Sequence, residues 1–300
     1  MTGTLARQAS GPVAGRLPRP ALRVQPEPGR WSRTARLHLV KGAAALHATA
    51  TGGRLRPRVL AALDRLLPPS PLPDVRAVLG GDIGLRLDGT GALARIALLC
   101  AGYEHRECEV LAGAVRPGGV FVDVGANVGW FSMTVAAHRP SSTVWAVEPL
   151  PATADRLAEN IAAAELARVV IHRVLLGAAD GTAELVATVD PAFAHVSGAG
   201  RSRTGTQPGT VTCPATTLDR LWEDAGRPRV DAVKVDVEGA ELEVLAGAGV
   251  LLRSCRPLLV VEAPTATHRE ALDRATEPMG YRRTACPGVL AYNSVLVPVP

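Results

Sequence analysis

The stretch Val120-Phe121-Val122-Asp123-Val124-Gly125-Ala126-Asn127-Val128-Gly129 decides the fold of this 300-residue chain. Val120 to Val124 is a short, β-branched apolar run, and it ends in a turn punctuated by Gly125 and Gly129. Trp130 to Ala137 then resumes apolar residues at helical spacing. A strand that feeds a glycine turn at the start of a helix brings free backbone N–H groups and a positive dipole end to one point. An anionic ligand group is expected there.

A second apolar run, Val144 to Val147, ends in Glu148-Pro149, and Glu148 lies 19 residues beyond Gly129. At that distance in a doubly wound sheet a carboxylate accepts hydrogen bonds from ribose hydroxyls. The loop is spelled D-x-G-x-N-x-G, with Asn127 at the middle position of the G-x-G-x-x-G pattern, and this argues against NAD. Asp123 suits a ligand ammonium and the helix start suits a carboxylate, so an amino-acid moiety fits better than a pyrophosphate. S-adenosyl-L-methionine carries both groups and a ribose. Asp123, Gly125, Asn127, Gly129 and Glu148 are therefore the expected cofactor-binding residues, with Gly125 allowing the tight turn and Gly129 a close approach of the helix start to the ligand. The alternative is a glycine turn in an ordinary α/β domain with an acid downstream by chance.

The length allows one large or two modest domains, and 47% hydrophobic residues suffice for a buried core. The net charge of +5 is unevenly spread: residues 1–70 carry eleven Arg and one Lys against Glu27 and Asp64, a net +10, which leaves −5 for the rest. A basic arm can bind nucleic acid or anionic lipid, or be a solvated leader. The five cysteines are widely spaced without a C-x-x-C, so neither a disulfide framework nor a zinc site is expected. No apolar run approaches a membrane span, and Arg7, Pro12, Arg16 and Pro18 interrupt the N-terminus. A cytoplasmic protein without a membrane partner is the simplest expectation.

Three segments follow from the patterning. Residues 1–70 form a basic Pro/Arg/Ala-rich leader, disordered over 1–30 and with helices between Arg33 and Leu67. Residues 71–116 form a cap, a hairpin around Ile83 to Leu87 followed by helices over Leu93–Leu99 and Cys108–Val115, whose most reactive side chains are Tyr103, Glu104 and His105. It either covers a sheet edge or closes over ligands. Residues 117–300 form the main domain. Its strands are read at Val120, Val144, Val169–Val174, Val230, Leu258–Glu262, Tyr281–Ala285 and Ser294–Val299, with a helix over Ala240–Leu252. Thr182 to Val189 is an added strand, and Pro191 to Thr210, with Phe193, His195, Arg201 and Arg203, is a long loop. His172 reads as a structural histidine within its strand. Strands alternating with helices predict a Rossmann-like, doubly wound α/β fold with seven strands, its ligand outside the carboxyl ends of the strands. Asp123, Glu148, Asp236, Glu238 and Glu262 all fall at such ends and should share one crevice.

The elements D-V-G-A-N-V-G at 123–129, E-P at 148–149, T-L-D-R-L at 217–221, K-V-D-V-E-G-A-E at 234–241 and L-V-V-E at 259–262 resemble those of FkbM-type methyltransferases. The resemblance covers roughly residues 90–285. It implies S-adenosyl-L-methionine as cofactor and O-methylation of a hydroxyl on a natural product or saccharide, and it leaves the basic leader out.

Methyl transfer to a hydroxyl needs in-line positioning and gains from a general base. Asp236 and Glu238, two residues apart on an extended segment, point the same way, and together could raise one carboxylate's proton affinity. They are the expected catalytic pair, ahead of His195 and His268. Three roles stay open for them: cofactor binding or acceptor polarisation, chelation of a divalent cation with Glu262, or capping of the following turn. No metal is assigned. A small-molecule hydroxyl acceptor is the expected partner, and the oligomeric state is open between monomer and homodimer. Nucleic acid is disfavoured as substrate, because Asp236-Val237-Glu238-Gly239 stands where an N-P-P-Y element would, and cysteine precedes proline only as Cys213-Pro214 and Cys286-Pro287. A non-catalytic scaffold would need a damaged cofactor loop, and a nicotinamide oxidoreductase would need another loop spelling.

Overall fold

The computed structural model describes residues 17, 20–24, 31–50, 57–68, 72, 75–80, 83–87, 92–100, 104–187, 195–196, 209–284 and 292–299. The N-terminal part contains β1 (Ala21–Val24), α1 (Trp31–Ala50), α2 (Pro57–Leu66), β2 (Val75–Gly80), β3 (Ile83–Leu87), α3 (Ala92–Cys100) and α4 (His105–Ala114). The main domain follows with β4 (Val120–Val124), α5 (Trp130–His138), β5 (Thr143–Val147), α6 (Pro151–Ala163), β6 (Val169–His172), β7 (Leu175–Leu176), β8 (Gly181–Ala187), β9 (His195–Val196) and β10 (Gly209–Thr216). It closes with α7 (Leu218–Asp224), β11 (Val230–Val235), α8 (Glu241–Ala246), α9 (Gly249–Cys255), β12 (Leu258–Glu262), α10 (Ala266–Thr276), β13 (Tyr281–Thr284) and β14 (Asn293–Pro298).

Seven strands form the central sheet in the order β13-β14-β12-β11-β4-β5-β6. The pairs from β12 through β6 are parallel, and β14 runs antiparallel to both its neighbours. This is the Rossmann-like, doubly wound sheet that the strand–helix alternation predicts. The chain starts at the centre with β4, runs outward to β6, then crosses back to β11 on the other side of β4. Ligands bind at such a reversal. Strands β4 and β11 are buried along their whole length, so they are mainly apolar without a solvent-facing alternation, and the charges they carry, Asp123, Asp231 and Lys234, are buried with them.

The N-terminal part departs from expectation. Ala21–Val24, expected to be disordered, is a strand paired with β2, with Leu22 and Val24 buried. Leu37, Val40 and Leu63 from α1 and α2 are buried too, and Arg95 on α3 makes a 2.7 Å ion pair to Asp64 on α2. The described part of residues 1–70 is thus built into the cap, and position 70 is not a boundary. A four-residue strand amid Pro and Arg is too short to give a readable period. Leu17 also packs against this core, and the rest of the leader predicted to be disordered, apart from Pro20, lies outside the described residues. The β1-β2-β3 sheet packs on α5 and α6, and Asn160 fastens it. Its Oδ1 accepts from Arg86 N at 3.1 Å and its Nδ2 donates to Val128 O at 2.9 Å.

Two further differences lie in the main domain. Part of the expected loop 191–210 forms strands β9 and β10, which join β7 and β8 in a separate four-stranded sheet; Phe193, Arg201 and Arg203 lie outside the described residues. The helix expected over 240–252 is broken into α8 and α9 at Gly247, where a Cβ would collide with the Gly177 carbonyl oxygen. The T-L-D-R-L element has a structural task at this point. Thr217 Oγ1 caps α7 by accepting from Arg220 N at 3.0 Å, and the Asp219 carboxylate accepts from Val250 N and Leu251 N at 2.9 and 2.7 Å, capping α9. Asp219→Ala should therefore cost about 1–2 kcal/mol. Arg220→Ala, whose side chain pairs on the surface with exposed Asp224, should cost less than ~0.5 kcal/mol. Thermal denaturation of both variants checks this, and equal losses would contradict the capping role.

Candidate active site

A cleft opens at the carboxyl ends of β4, β5 and β11. Gly125, Asn127 and Glu148 form one wall, Leu175, Leu176 and Leu185 an apolar one, and Asp236 and Glu238 the far side. Five of the seven expected site residues thus share the cleft. Gly129 and Asp123 do not line it.

The loop explains why. Gly125 has φ +81°, and a Cβ there would strike the carbonyl oxygen of Asp236, so this glycine lets the β4 loop touch the end of β11. Asn127 has φ 50°, in the left-handed region that Asn tolerates better than most residues, which accounts for Asn where another spelling has Gly. Gly129 has φ +103°, but its close neighbours are Leu157 and Met133, so it serves packing of α6 against α5 rather than ligand approach. The expectation of free loop donors also fails. Gly125 N and Ala126 N both donate to Val147 O, Asn127 N donates to Glu148 Oε2, Val128 N to Asn127 Oδ1 and Gly129 N to Ala126 O. The five loop N–H groups 125–129 hold the protein's own acceptors.

Glu148 is buried at the end of β5, with Oε2 on Asn127 N and Oε1 on Leu150 N, both at 3.0 Å. Burial raises its pKa to about 7 against the lowering effect of those two bonds. The carboxylate orders the loop and still faces the cleft with its remaining lone pairs.

Several charged groups gather at the end of β11. Lys234 and Asp236 stand two residues apart and so share a face. Lys234 is 1% exposed, lies opposite Asp123 in the β4–β11 register, bonds Asp236 Oδ2 at 2.7 Å, and sits 4.3 Å from the Phe131 ring centre. Burial would lower its pKa, but the carboxyls of Asp236, Glu104 and Asp123 raise it, so the ammonium is retained. Asp123 is likewise buried beneath the cleft, accepting from Ser132 Oγ at 2.6 Å. Ser132 meets one of its oxygens, Oδ2, and Asp123 does not itself line the cleft.

Glu238 is not on an extended segment as expected, but has φ 55° and is followed by Gly239 at φ 110°. This turn folds Glu238 back so that Asp236, Glu238 and Glu262 bring carboxylate oxygens within 4.8 Å of one another. The capping task considered for Asp236 and Glu238 belongs to Glu241, whose Oε1 accepts from Val237 N and Gly239 N at 3.1 Å. The carboxyl whose proton affinity rises is Glu262. Burial and then the carboxylates of Asp236, Glu238 and Glu241 push its pKa to about 9. His268 is exposed at the first turn of α10, and His172 stacks edge-on to Trp145 at 5.7 Å as a structural residue. Lys234 was not in the expected set, and the lone lysine of K-V-D-V-E-G within a mainly apolar strand was the available signal; Glu104 was singled out on the cap but given no place among the site residues.

Residues 123–282 match the family model described as the methyltransferase FkbM domain. The chain belongs to the FkbM methyltransferase family. Among its curated relatives are the hexuronic acid methyltransferase AglP of Haloferax volcanii, 32% identical over 141 residues, which are 47% of this chain and 54% of that protein, and methyltransferase sdnD of Sordaria araneosa, 32% identical over 152 residues, which are 42% and 59%. The FkbM match thus spans little more than half the length of each. A solved FkbM methyltransferase from Methylobacillus flagellatus superposes with a TM-score of 0.41 at 14% identity, covering 88% of this chain and 59% of that one.

The carboxyl trio of this FkbM chain has a pH signature. Glu262 holds its proton to about pH 9 when folded and loses it near 4.5 when unfolded, so the folded state binds more protons in between. Its stabilising contribution is full below the unfolded value and is lost as pH rises through about 9. The thermal midpoint of the wild type should decline across this window, and Glu262→Gln should flatten the decline. Parallel profiles would contradict a raised Glu262.

Proposed function

We propose that the chain is an S-adenosyl-L-methionine-dependent O-methyltransferase acting on a hydroxyl of a small molecule, natural product or saccharide. The observation that carries this reading is the pairing, in one cleft at the sheet's reversal point, of Glu148 beside an apolar wall with the Asp236 and Glu238 carboxyls, which Glu262 adjoins from outside the cleft lining. The first half suits a ribose and an adenine, and the second suits a cationic centre and a hydroxyl that must lose a proton. The hexuronic acid named for the Haloferax relative is a saccharide with hydroxyl and carboxyl oxygens, in keeping with a saccharide acceptor.

The bound cofactor supplies an electrophilic methyl group on a sulfonium. The protein's residues do the rest. Glu148 and the leucine wall orient the adenosine, and the cleft excludes water from the line of displacement. Lys234 fixes Asp236 through the 2.7 Å bond, so that the carboxylate meets the acceptor hydroxyl in one orientation. Asp236 accepts the hydroxyl proton, while Glu262 keeps its own proton near neutrality and limits repulsion within the trio.

Calorimetric titration with S-adenosylhomocysteine, beside NAD as control, tests the cofactor. Binding of the former alone is expected, weakened by Glu148→Ala at least roughly tenfold. Asp236→Asn should lower turnover more than this affinity. Undiminished binding by Glu148→Ala would contradict the assignment.

A second reading is favoured by the trio itself, whose oxygens within 4.8 Å could hold a divalent cation. Magnesium would then raise the thermal midpoint of the wild type and not of Glu262→Gln. No shift in either would remove this reading.

A further inference from the structure

Beneath the cleft a single ammonium, that of Lys234, stands among three carboxyl groups. Asp123 is its cross-strand partner, Asp236 bonds it, and Glu104 acts on it from the residue preceding α4. Glu104 belongs to the cap, yet Asn293 Nδ2 donates to its Oε1 at 2.9 Å, and Asn293 pairs with Glu262 in the β12–β14 register. The cap residue therefore sits over the row formed by Asp236, Glu262 and Asn293 at the strand ends, and Asp236 lines the cleft.

Two features set this cluster apart from a structural ion pair. Glu104 Oε2 and Asp123 Oδ1 are buried, Asp123 being 1% exposed, and no described residue donates a hydrogen bond to either oxygen. Native cores seldom leave such acceptors unmet, because each forfeits its hydration without replacement. The backbone at Glu104 is left-handed, φ 44° and ψ 30°, with no side-chain capping bond to offset it. A strained backbone at Glu104 and unmet carboxyl oxygens on Glu104 and Asp123, close to the cleft-lining Asp236, point to a task in binding.

We propose that Glu104 is a specificity-determining residue for cofactor charge: with Asp123 and Asp236 it gives the site a carboxyl excess over Lys234 that favours the sulfonium S-adenosyl-L-methionine over its neutral thioether product. The inference rests on the cofactor assigned under the proposed function. The two ligands share adenosine, ammonium and carboxylate and differ by one methyl group and one positive charge. A buried carboxylate attracts the sulfonium through a medium of low dielectric and is indifferent to the thioether. Loss of the methyl group thus removes an attraction, and the spent cofactor is held less firmly.

Calorimetry of the full chain with each ligand, in wild type and Glu104→Gln, tests this. Gln keeps an oxygen for the Asn293 bond and removes the charge. Affinity for S-adenosyl-L-methionine should fall roughly three- to thirtyfold while that for S-adenosylhomocysteine stays within about twofold. An unchanged ratio of the two affinities overturns the proposal, whereas failure of the wild type to bind either ligand overturns the cofactor assignment instead. Should Glu104→Gln not fold, the wild type is titrated with sinefungin, which carries a cationic amine in place of the sulfonium. Tighter binding of sinefungin than of S-adenosylhomocysteine is expected, and equal or weaker binding overturns the proposal.

Discussion

The structure depends on an ammonium group buried in the middle of a parallel sheet. Taking Lys234 out of water costs several kcal/mol unless partners offset it. The 2.7 Å bond to Asp236, the cross-strand carboxyl of Asp123 and the Phe131 ring face at 4.3 Å are those partners. Each comes from a different element: the chain just past β11, the strand β4 and the helix α5. Satisfying one buried charge therefore fixes the mutual placement of the elements that build the cleft, and orients the carboxylate offered to a ligand.

Close backbone approach is the second constraint, and it acts at two glycines. Gly125 lets the β4 loop meet the Asp236 carbonyl, and Gly247 lets the chain between α8 and α9 meet the Gly177 carbonyl. The first closes the floor of the cleft between β4 and β11. The second packs the segment after β7, whose Leu175 and Leu176 form the apolar wall, against the helices that follow β11. A side chain at either place would push apart the two halves on which the cleft depends.

Much of this was legible in the chain. The β-branched runs at Val120, Val144, Val230 and Leu258, each followed by turn and helix signals, carried the parallel part of the sheet because strands buried on both faces need mainly apolar sequence. Glu148, Asp236 and Glu238 were legible because the ends of such strands are where ligands bind. What escaped depends on contacts distant in sequence. Glu104 joins the site through Asn293, 189 residues away. Asp123 was placed at the strand end correctly, but its partner Lys234 is set by the β4–β11 register, which no local pattern reveals. The expected anion nest failed because the loop's N–H groups are consumed by Val147 and Glu148, a matter of hydrogen-bond accounting rather than of glycine spacing.

The most direct test of the role given to Lys234 is the thermal stability of Lys234→Met at two pH values. Without the ammonium, Asp123, Glu104 and Asp236 repel one another when ionised and do so less when protonated. The variant should therefore lose far more stability relative to wild type at pH 8 than at pH 5.5. A loss of equal size at both, or none at either, would show that the buried lysine is not what holds these carboxyls and the cleft together.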